Sequence, residues 1–404
     1  MLSRRGFLAA AAALVGGSIA GGRLPSVALG ALDAVPLGRQ PAGQPVRQHA
    51  RVATLATDVH GNPIAPRFDR LLFFDVPGRP SANGVQVLEA SLRALERRYP
   101  WGPQGLLFTA GWSPHYFEHV LGVRSPIPKA KALSEFELPT FDDYDLCLHL
   151  ACDDEQRLAA VEAVLRGDLG GTLRWRETRS GFVGAGLPAA HQHANGIPAG
   201  EPVSKASPLF MGFKSGFRKN QASEDDVTIP AGSFAGGTTM HVSYMRLRLD
   251  SWYDILDEKE RTARMYAPEV TPEDVAQFTD DAPSDPAKYA RAASRYGVVG
   301  HSQTSARARR HGRPLIIRRD FNTVDGGLAG LHFVAVQRSI ADFVKTRTAM
   351  NAASASYLNP AIGDTVNNGI NEFIFVLKRA NYILPSRALR SYPLYPGQAA
   401  ALKD

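Results

Sequence analysis

The sequence is poor in several features that mark particular classes of protein. Its 404 residues include only two cysteines, Cys147 and Cys152, so neither a disulfide framework nor a cysteine-rich zinc or iron–sulfur site is available. Five positions apart on one expected strand, the two thiols would point to opposite faces of a sheet. Only 21% of the residues are charged and 44% are hydrophobic, which are the proportions of an ordinary globular protein.

The sequence also lacks a strong charge of either sign and a membrane-spanning run. The formal net charge of +7 falls to +4 without Arg4, Arg5 and Arg23, which lie at the N-terminus. That charge is too small to predict binding to nucleic acid or to a membrane surface. The N-terminal apolar stretch is shorter than the roughly 20 residues that span a bilayer. We therefore expect no nucleic-acid partner and no stable membrane span.

The N-terminus has the pattern of an export signal. Residues 3–8 read S-R-R-G-F-L, an uncharged small and apolar stretch follows, and small residues at 26–28 suggest cleavage near residues 28–30. This pattern resembles a twin-arginine signal; the alternative is a buried alanine-rich helix. We expect a signal peptide over residues 1–30, read by the twin-arginine export machinery, and a mature protein that is periplasmic or secreted.

Hydrophobic periodicity divides the mature chain into two similar units. An extended arm covers residues 31–66, and a β-α-β, β-α-β order at 67–185 suggests a ferredoxin-like unit. After a connector at 186–208 the order recurs in 209–395, which carries a long insertion at 268–325. The fold class predicted is α+β. Strands are expected at 71–75, 105–110, 144–150, 172–178, 240–249, 331–336 and 373–377, and helices at about 85–95, 153–167, 250–265 and 340–347.

Among the 11 histidines, His301 has the most suggestive context. It follows a glycine and precedes a basic loop, and a strand about seventeen residues later carries Arg318 and Arg319. The imidazole could hold a metal on one side of a pocket while a guanidinium faces anionic groups. The alternative is a basic surface loop followed by an ordinary strand.

The loop at residues 212–220 is a second candidate site. Gly212 and Gly216 flank Phe213 and Ser215, and glycines let a backbone approach a flat ligand closely. The spacing is not that of a dinucleotide fingerprint, and no strand leads directly into the loop.

Taken together, the twin-arginine pattern, this G-x-x-x-G loop, His301 and the segment 316–338 resemble the dye-decolourising peroxidase superfamily. The resemblance covers about residues 70–389. It implies two ferredoxin-like units in a dimeric α/β-barrel-like arrangement, with one haem b per chain. The haem contacts that it implies are His301 as axial iron ligand, with Gly212, Phe213, Gly216 and Arg318. The implied reaction oxidises an unidentified small-molecule reductant with hydrogen peroxide.

One departure from the family pattern bears on activity. The distal loop of the family reads G-x-x-D-G, and its Asp takes a proton from peroxide; Ser215 stands at that position here. Arg318 would be the distal arginine that stabilises developing negative charge, with Arg319 as the competing choice. We expect weak peroxidase turnover, and the alternative is a non-catalytic haem-binding or haem-handling protein.

An acidic run follows the loop. Glu224, Asp225 and Asp226 could supply a substitute carboxylate, or could form an acidic turn that faces solvent.

Replacing both Arg4 and Arg5 with Lys is expected to strand the precursor in the cytoplasm, because a receptor reads the arginine pair as an address. Cell fractionation and immunoblotting of precursor and mature forms measure this, with Arg23→Lys as a control that keeps the pair. Normal export of the double variant would indicate the general secretory route instead.

Overall fold

The computed structural model describes residues 43–59, 61–215, 220–271, 286–351 and 356–394. The expected signal peptide lies outside the described residues, as do Gly216 and residues 272–285 of the insertion. No helix in the described part of the chain is long and apolar enough to cross a membrane.

The strands of the described chain lie in one ten-stranded sheet and one short hairpin. They are β1 (Phe68–Asp75), β2 (Leu107–Trp112), β3 (Thr140–Phe141), β4 (Leu146–Cys152), β5 (Arg174–Phe182), β6 (Thr238–Leu247), β7 (Arg309–Arg310), β8 (Arg313–Pro314), β9 (Ile316–Arg318), β10 (Phe321–Thr323), β11 (Gly330–Gln337) and β12 (Ile374–Leu384).

The helices lie between these strands. They are α1 (Ala82–Arg98), α2 (Glu155–Leu169), α3 (Leu187–Ala190), α4 (Glu224–Val227), α5 (Leu249–Asp254), α6 (Glu258–Met265), α7 (Pro286–Tyr296), α8 (His301–Ser305) and α9 (Ile340–Met350). Single turns of other helix types occur at Val52–Thr54, Tyr116–Val120, Asp325–Gly327, Asn371–Phe373 and Arg387–Leu389.

The sheet is built from two halves with the same strand order. The first half runs β5-β1-β4-β2 and the second runs β12-β6-β11-β9, so each places its own strands in the order 4-1-3-2 of a ferredoxin-like unit. The halves join between β2 and β12, and again where β10 pairs with both β5 and β11. The second junction closes the sheet into a barrel. The α+β fold expected from the sequence is confirmed.

Strand β1 is buried on both of its faces. Alternation places Leu72 and Phe74 in the core under the outer helices, and Leu71 and Phe73 in the barrel interior. A strand covered on both sides reads as a continuous apolar run, which is why this strand could be located from the sequence.

The outer core depends on the amphipathic helix α1. Val85, Leu88, Leu92 and Leu95 lie on one helical face and are at most 2% exposed. Ser81 caps the helix by accepting a hydrogen bond from the Gly84 amide at 3.1 Å. Full burial of each such side chain is worth about 1.5–3 kcal/mol, so this face holds the helix on the sheet.

The prediction of a single helix at 250–265 is wrong, because the chain forms two helices there, α5 and α6. Asp257 starts the second one: its carboxylate accepts from the Glu260 amide at 2.8 Å, and Glu260 accepts from the Asp257 amide at 2.9 Å. This reciprocal capping box is the signal that the periodicity argument missed.

Strand β12 is longer than expected, because its second half is polar. The apolar pattern ends near residue 377, but the strand continues to Leu384 through Arg379 and Asn381, both buried. Buried polar side chains with long-range partners leave no apolar periodicity to read.

The closing junction leaves no room for a side chain at Gly181 on β5. A Cβ atom there would lie 1.9 Å from the Asn322 carbonyl oxygen. Gly181→Ala is therefore expected to destabilise the protein by about 1–3 kcal/mol, the usual cost of overpacking. Thermal unfolding measures the loss. Gly167→Ala on α2 is the control, since nothing lies within 4 Å of its Cβ position; equal melting temperatures would contradict the prediction.

Candidate functional site

A cavity lies in the second half of the chain, and its walls and open mouth together enclose about 1190 Å³. Most of its wall is apolar and partly aromatic, including Phe210, Met211, Phe213, Met245, Leu247, Tyr266, Phe333 and Phe343. Such a wall suits a large, flat, apolar ligand.

The backbone around His301 is held by close glycine contacts. His301 is the first residue of α8, and the Gly300 amide donates to Gln303 Oε1 at 2.7 Å. Gly369 has a φ of +56°, and a Cβ there would lie 2.9 Å from both the amide nitrogen and the Cα of His301. The Gly369 amide also donates to the Val299 carbonyl at 2.7 Å. Packing of backbone on backbone therefore fixes the point from which the imidazole projects.

The imidazole of His301 lines the cavity and is neutral at ordinary pH. Burial, and then the charges of Arg318 and Arg347, lower its pKa to about 3. Neither of its ring nitrogens makes a hydrogen bond to a described residue. A neutral imidazole with a free lone pair is the form that binds a metal.

The two neighbouring arginines lie on different sides of the chain. Arg318 lines the cavity and donates from Nη2 to Asn220 Oδ1 at 2.8 Å, while its buried Nε has no partner among the described residues. Arg319 is buried away from this cavity and donates to the His49 carbonyl. Adjacent residues of an extended chain point opposite ways, so only Arg318 faces the apolar cavity.

A carboxylate that the sequence analysis did not single out completes this wall. The Ser215 hydroxyl donates to Asp320 Oδ1 at 3.1 Å. Burial raises the pKa of Asp320, against the lowering effects of the Arg318 charge and the Ser215 hydrogen bond. Among the described residues Asp320 is the one carboxylate on the cavity wall. The available signal was its spacing, since residues two apart on an extended chain, such as Arg318 and Asp320, share a side.

The glycine-rich loop reaches the same cavity only in part. Phe213 and Ser215 line the cavity, and Phe213 packs edge-to-face on Tyr266 with ring centres 5.5 Å apart. Gly212, with a φ of +90°, lies in the turn that precedes them and does not line the wall. Gly216 lies outside the described residues.

The acidic run after the loop lies away from the cavity. Glu224 accepts from the Arg51 amide of the N-terminal arm at 2.6 Å. The Asp225 side chain is 83% exposed, and Asp226 accepts from the Ser223 hydroxyl at 2.7 Å. Of the two alternatives for this run, the structure shows the acidic turn, and none of its three carboxylates lines the cavity.

Two further arginines give the cavity a cationic wall. Arg347 and Arg379 line the cavity and both bind Glu137, with Arg379 Nη2 2.8 Å from Glu137 Oε2. Burial alone would raise the pKa of Glu137, but the two guanidiniums outweigh it and hold that pKa below its usual value. One carboxylate cannot neutralise both cations, so this wall has a net positive charge.

A second cavity shares Ser215 and Asp320 with the first. The charged residues on its wall are Arg51, Lys214, Arg318, Arg319 and Asp320. Because Ser215, Arg318 and Asp320 line both cavities, they stand between the apolar cavity and a basic one.

The donor set fits haem better than a bare metal ion. No group of three or more His, Cys, Asp or Glu side chains is placed to hold a metal within the described ranges. His301 is a single imidazole on a large apolar wall, and haem iron needs only such an axial ligand because the porphyrin supplies the others. The cationic wall at Arg347 and Arg379 suits its anionic groups.

Solved structures share this architecture. They include a dye-decolorizing protein from V. cholerae (TM-score 0.55, 15% identity, 85% of this chain and 99% of that one). A dye-decolorizing peroxidase from Bacteroides thetaiotaomicron matches with a TM-score of 0.54, 14% identity and coverage of 84% and 98%. A variant of DypB from Rhodococcus jostii in complex with heme matches with a TM-score of 0.55, 13% identity and coverage of 85% and 98%.

The chain thus has the fold of the dye-decolourising peroxidases. No curated protein sequence matches it. Residues 66–386 match the model of DUF7405, described as a family of unknown function, and the chain belongs to that family.

Arg318→Leu is expected to weaken cyanide binding by the haem-loaded protein by about 10- to 100-fold, because a hydrogen bond from a charged donor contributes about 1.5–3 kcal/mol. Arg319→Leu is the matched control and should change it little, since that guanidinium points away from the cavity. Spectrophotometric cyanide titration measures both constants. A larger effect at Arg319 would contradict the assignment of Arg318 to the ligand side.

Proposed function

We propose that the chain is an exported haem protein that oxidises a small-molecule reductant with hydrogen peroxide. The observation that carries the proposal is the presence of His301, Arg318 and Asp320 on the wall of one apolar cavity, in a chain with this fold. One haem b per chain, bound through His301, and export by the twin-arginine route through residues 1–30 belong to the same proposal.

Each residue of the wall has a distinct task toward the cofactor. His301 would supply the axial nitrogen, Phe213 and its aromatic neighbours would cover the ring, and Arg347 and Arg379 would attract its carboxylates. When bound, haem supplies the electrons that cleave the O–O bond of peroxide, and the reductant later restores them.

Arg318 and Ser215 are suited to binding peroxide rather than to deprotonating it. The unpaired buried Nε–H of Arg318 can donate to the oxygen on which negative charge develops. An arginine cannot act as a base at neutral pH, and a serine hydroxyl is no better. Loss of a positioned base typically costs about 10²- to 10⁴-fold, so weak turnover follows unless another carboxylate takes the proton.

The alternative function, haem binding or handling without peroxide chemistry, is supported by the surroundings of His301. No described carboxylate accepts a hydrogen bond from its ring. Such a partner normally raises the basicity of a ligating imidazole. Together with Ser215, this gap favours a site that holds haem without activating peroxide.

The test is titration of the purified protein with haemin. The native protein should bind one equivalent with a Soret band that His301→Ala abolishes or shifts to that of unligated haem, while the exposed His193→Ala should leave it unchanged. An unchanged spectrum in His301→Ala would refute the ligand assignment. Oxidation of a dye with peroxide then separates the peroxidase from the non-catalytic alternative.

A further inference from the structure

The Ser215–Asp320 pair is unusual because its acid lies outside the glycine-rich loop, whereas the family pattern places the acid within that loop. The loop residue that should be a carboxylate is a hydroxyl, and that hydroxyl donates at 3.1 Å to a carboxylate on another segment, just after β9. Asp320 lies two residues from Arg318, on the same side of the chain, and lines both cavities.

The carboxylate of Glu137, which contacts the cationic wall of the cavity, is already held by Arg347 and Arg379. Glu224 lies away from the cavity and is held by backbone amides of the arm. By contrast, Asp320 accepts a side-chain hydrogen bond only from Ser215 among the described residues. Its second carboxylate oxygen is therefore available to a ligand in the cavity.

We propose that Asp320 is the catalytic proton acceptor of this site, positioned by Ser215, so that the carboxylate missing from the loop is supplied from the end of β9. The inference rests on the proposed function, which supplies the peroxide. Asp320 is the catalytic residue in this scheme, and Ser215 is a positioning residue that acts through it.

The proton balance is simple. Asp320 takes the proton from one oxygen of hydrogen peroxide and returns it to the other oxygen, which leaves as water when the O–O bond breaks. When bound, the cofactor would supply the two electrons for that cleavage, and the reductant would later restore them together with the two protons that convert the second oxygen atom to water. Arg318 stabilises the negative charge on the departing oxygen until the proton arrives.

The charges around Asp320 suit this exchange. Burial raises its pKa, the charge of Arg318 and the Ser215 hydrogen bond lower it, and Asp69 on β1 raises it. Arg51, Lys214 and Arg319 are the other charged groups on the second cavity. A base whose pKa lies closer to the operating pH than that of a free aspartate both accepts and returns a proton more readily.

The decisive experiment moves the acid between the two positions. Asp320→Asn keeps the shape and removes the base, and the double variant Ser215→Asp with Asp320→Asn returns the acid to the loop. Haemin titration of each variant is measured first, followed by the rate at which the haem spectrum changes on mixing with peroxide and with cyanide. Hydrogen cyanide must also lose a proton to bind as the anion, so its association rate reports the base without turnover.

We expect all variants to bind haemin like the native protein. Asp320→Asn should slow both reactions by about 10²- to 10⁴-fold, and the double variant should recover about tenfold or more of that loss. Ser215→Asp alone should give no gain, because two adjacent carboxylates tend to share one proton. Native rates in Asp320→Asn with haem bound would overturn the assignment of Asp320, while leaving the haem proposal intact.

A second measurement needs no haem. Infrared difference spectra of the cofactor-free protein against pH should show a carboxyl band that is absent in Asp320→Asn. Since the Ser215 hydroxyl stabilises the ionised form, Ser215→Ala should shift the titration of that band to higher pH. A band that does not move would show that Ser215 does not position Asp320, and failure of the native protein to bind haemin would overturn both proposals.

Discussion

The side chain of Asn322 joins the parts of the structure on which the site depends. Its Oδ1 accepts from the Phe210 amide at 2.8 Å, and its Nδ2 donates to the Phe182 carbonyl at 3.0 Å. Phe182 ends the last strand of the first half, and Phe210 precedes the glycine-rich loop. One buried amide therefore ties the barrel junction and the loop to β10, two residues after Asp320. The hydrogen bonds of Asn322 therefore restrict how Asp320 can be placed relative to Ser215, because the glycine-rich loop and the segment of Asp320 are both held at Asn322.

The part of the cavity wall that carries His301 is fixed by different contacts. At His301 the chain relies mainly on close backbone contacts: a Cβ at Gly300 would lie 1.9 Å from the Tyr266 carbonyl oxygen, and one at Gly369 would lie 2.9 Å from the His301 backbone. The imidazole is thus positioned without a polar partner and keeps its lone pair. Asp320 and His301 are therefore fixed by separate constraints, as in a preorganised site.

The fold could be predicted from the sequence where local patterns determine it, and the site only in part. The apolar run of β1 and the helical spacing in α1 each follow from which faces are buried, and repetition of that order indicated two halves. Contacts between distant segments leave no such pattern. The pairing of Glu137 with Arg347 and Arg379 joins residues 210 and 242 positions apart. Similarly, Asp320 could be grouped with Arg318 by spacing, but nothing in the sequence shows that Ser215 reaches it.

The hydrogen bond from Ser215 to Asp320 offers a physical reason for a serine at position 215. Two carboxylates at hydrogen-bonding distance cannot both be ionised without a large cost, so a site with Asp at 320 has a physical reason to avoid Asp at 215. A hydroxyl at 215 instead stabilises the charged form of its neighbour. The buried Arg318 needs one nearby negative charge, and it receives it from its own strand end rather than from the loop. With Asp320 as the proposed proton acceptor, the change at position 215 would move the acid of the site without removing it, so Ser215 would no longer argue for the purely haem-binding alternative.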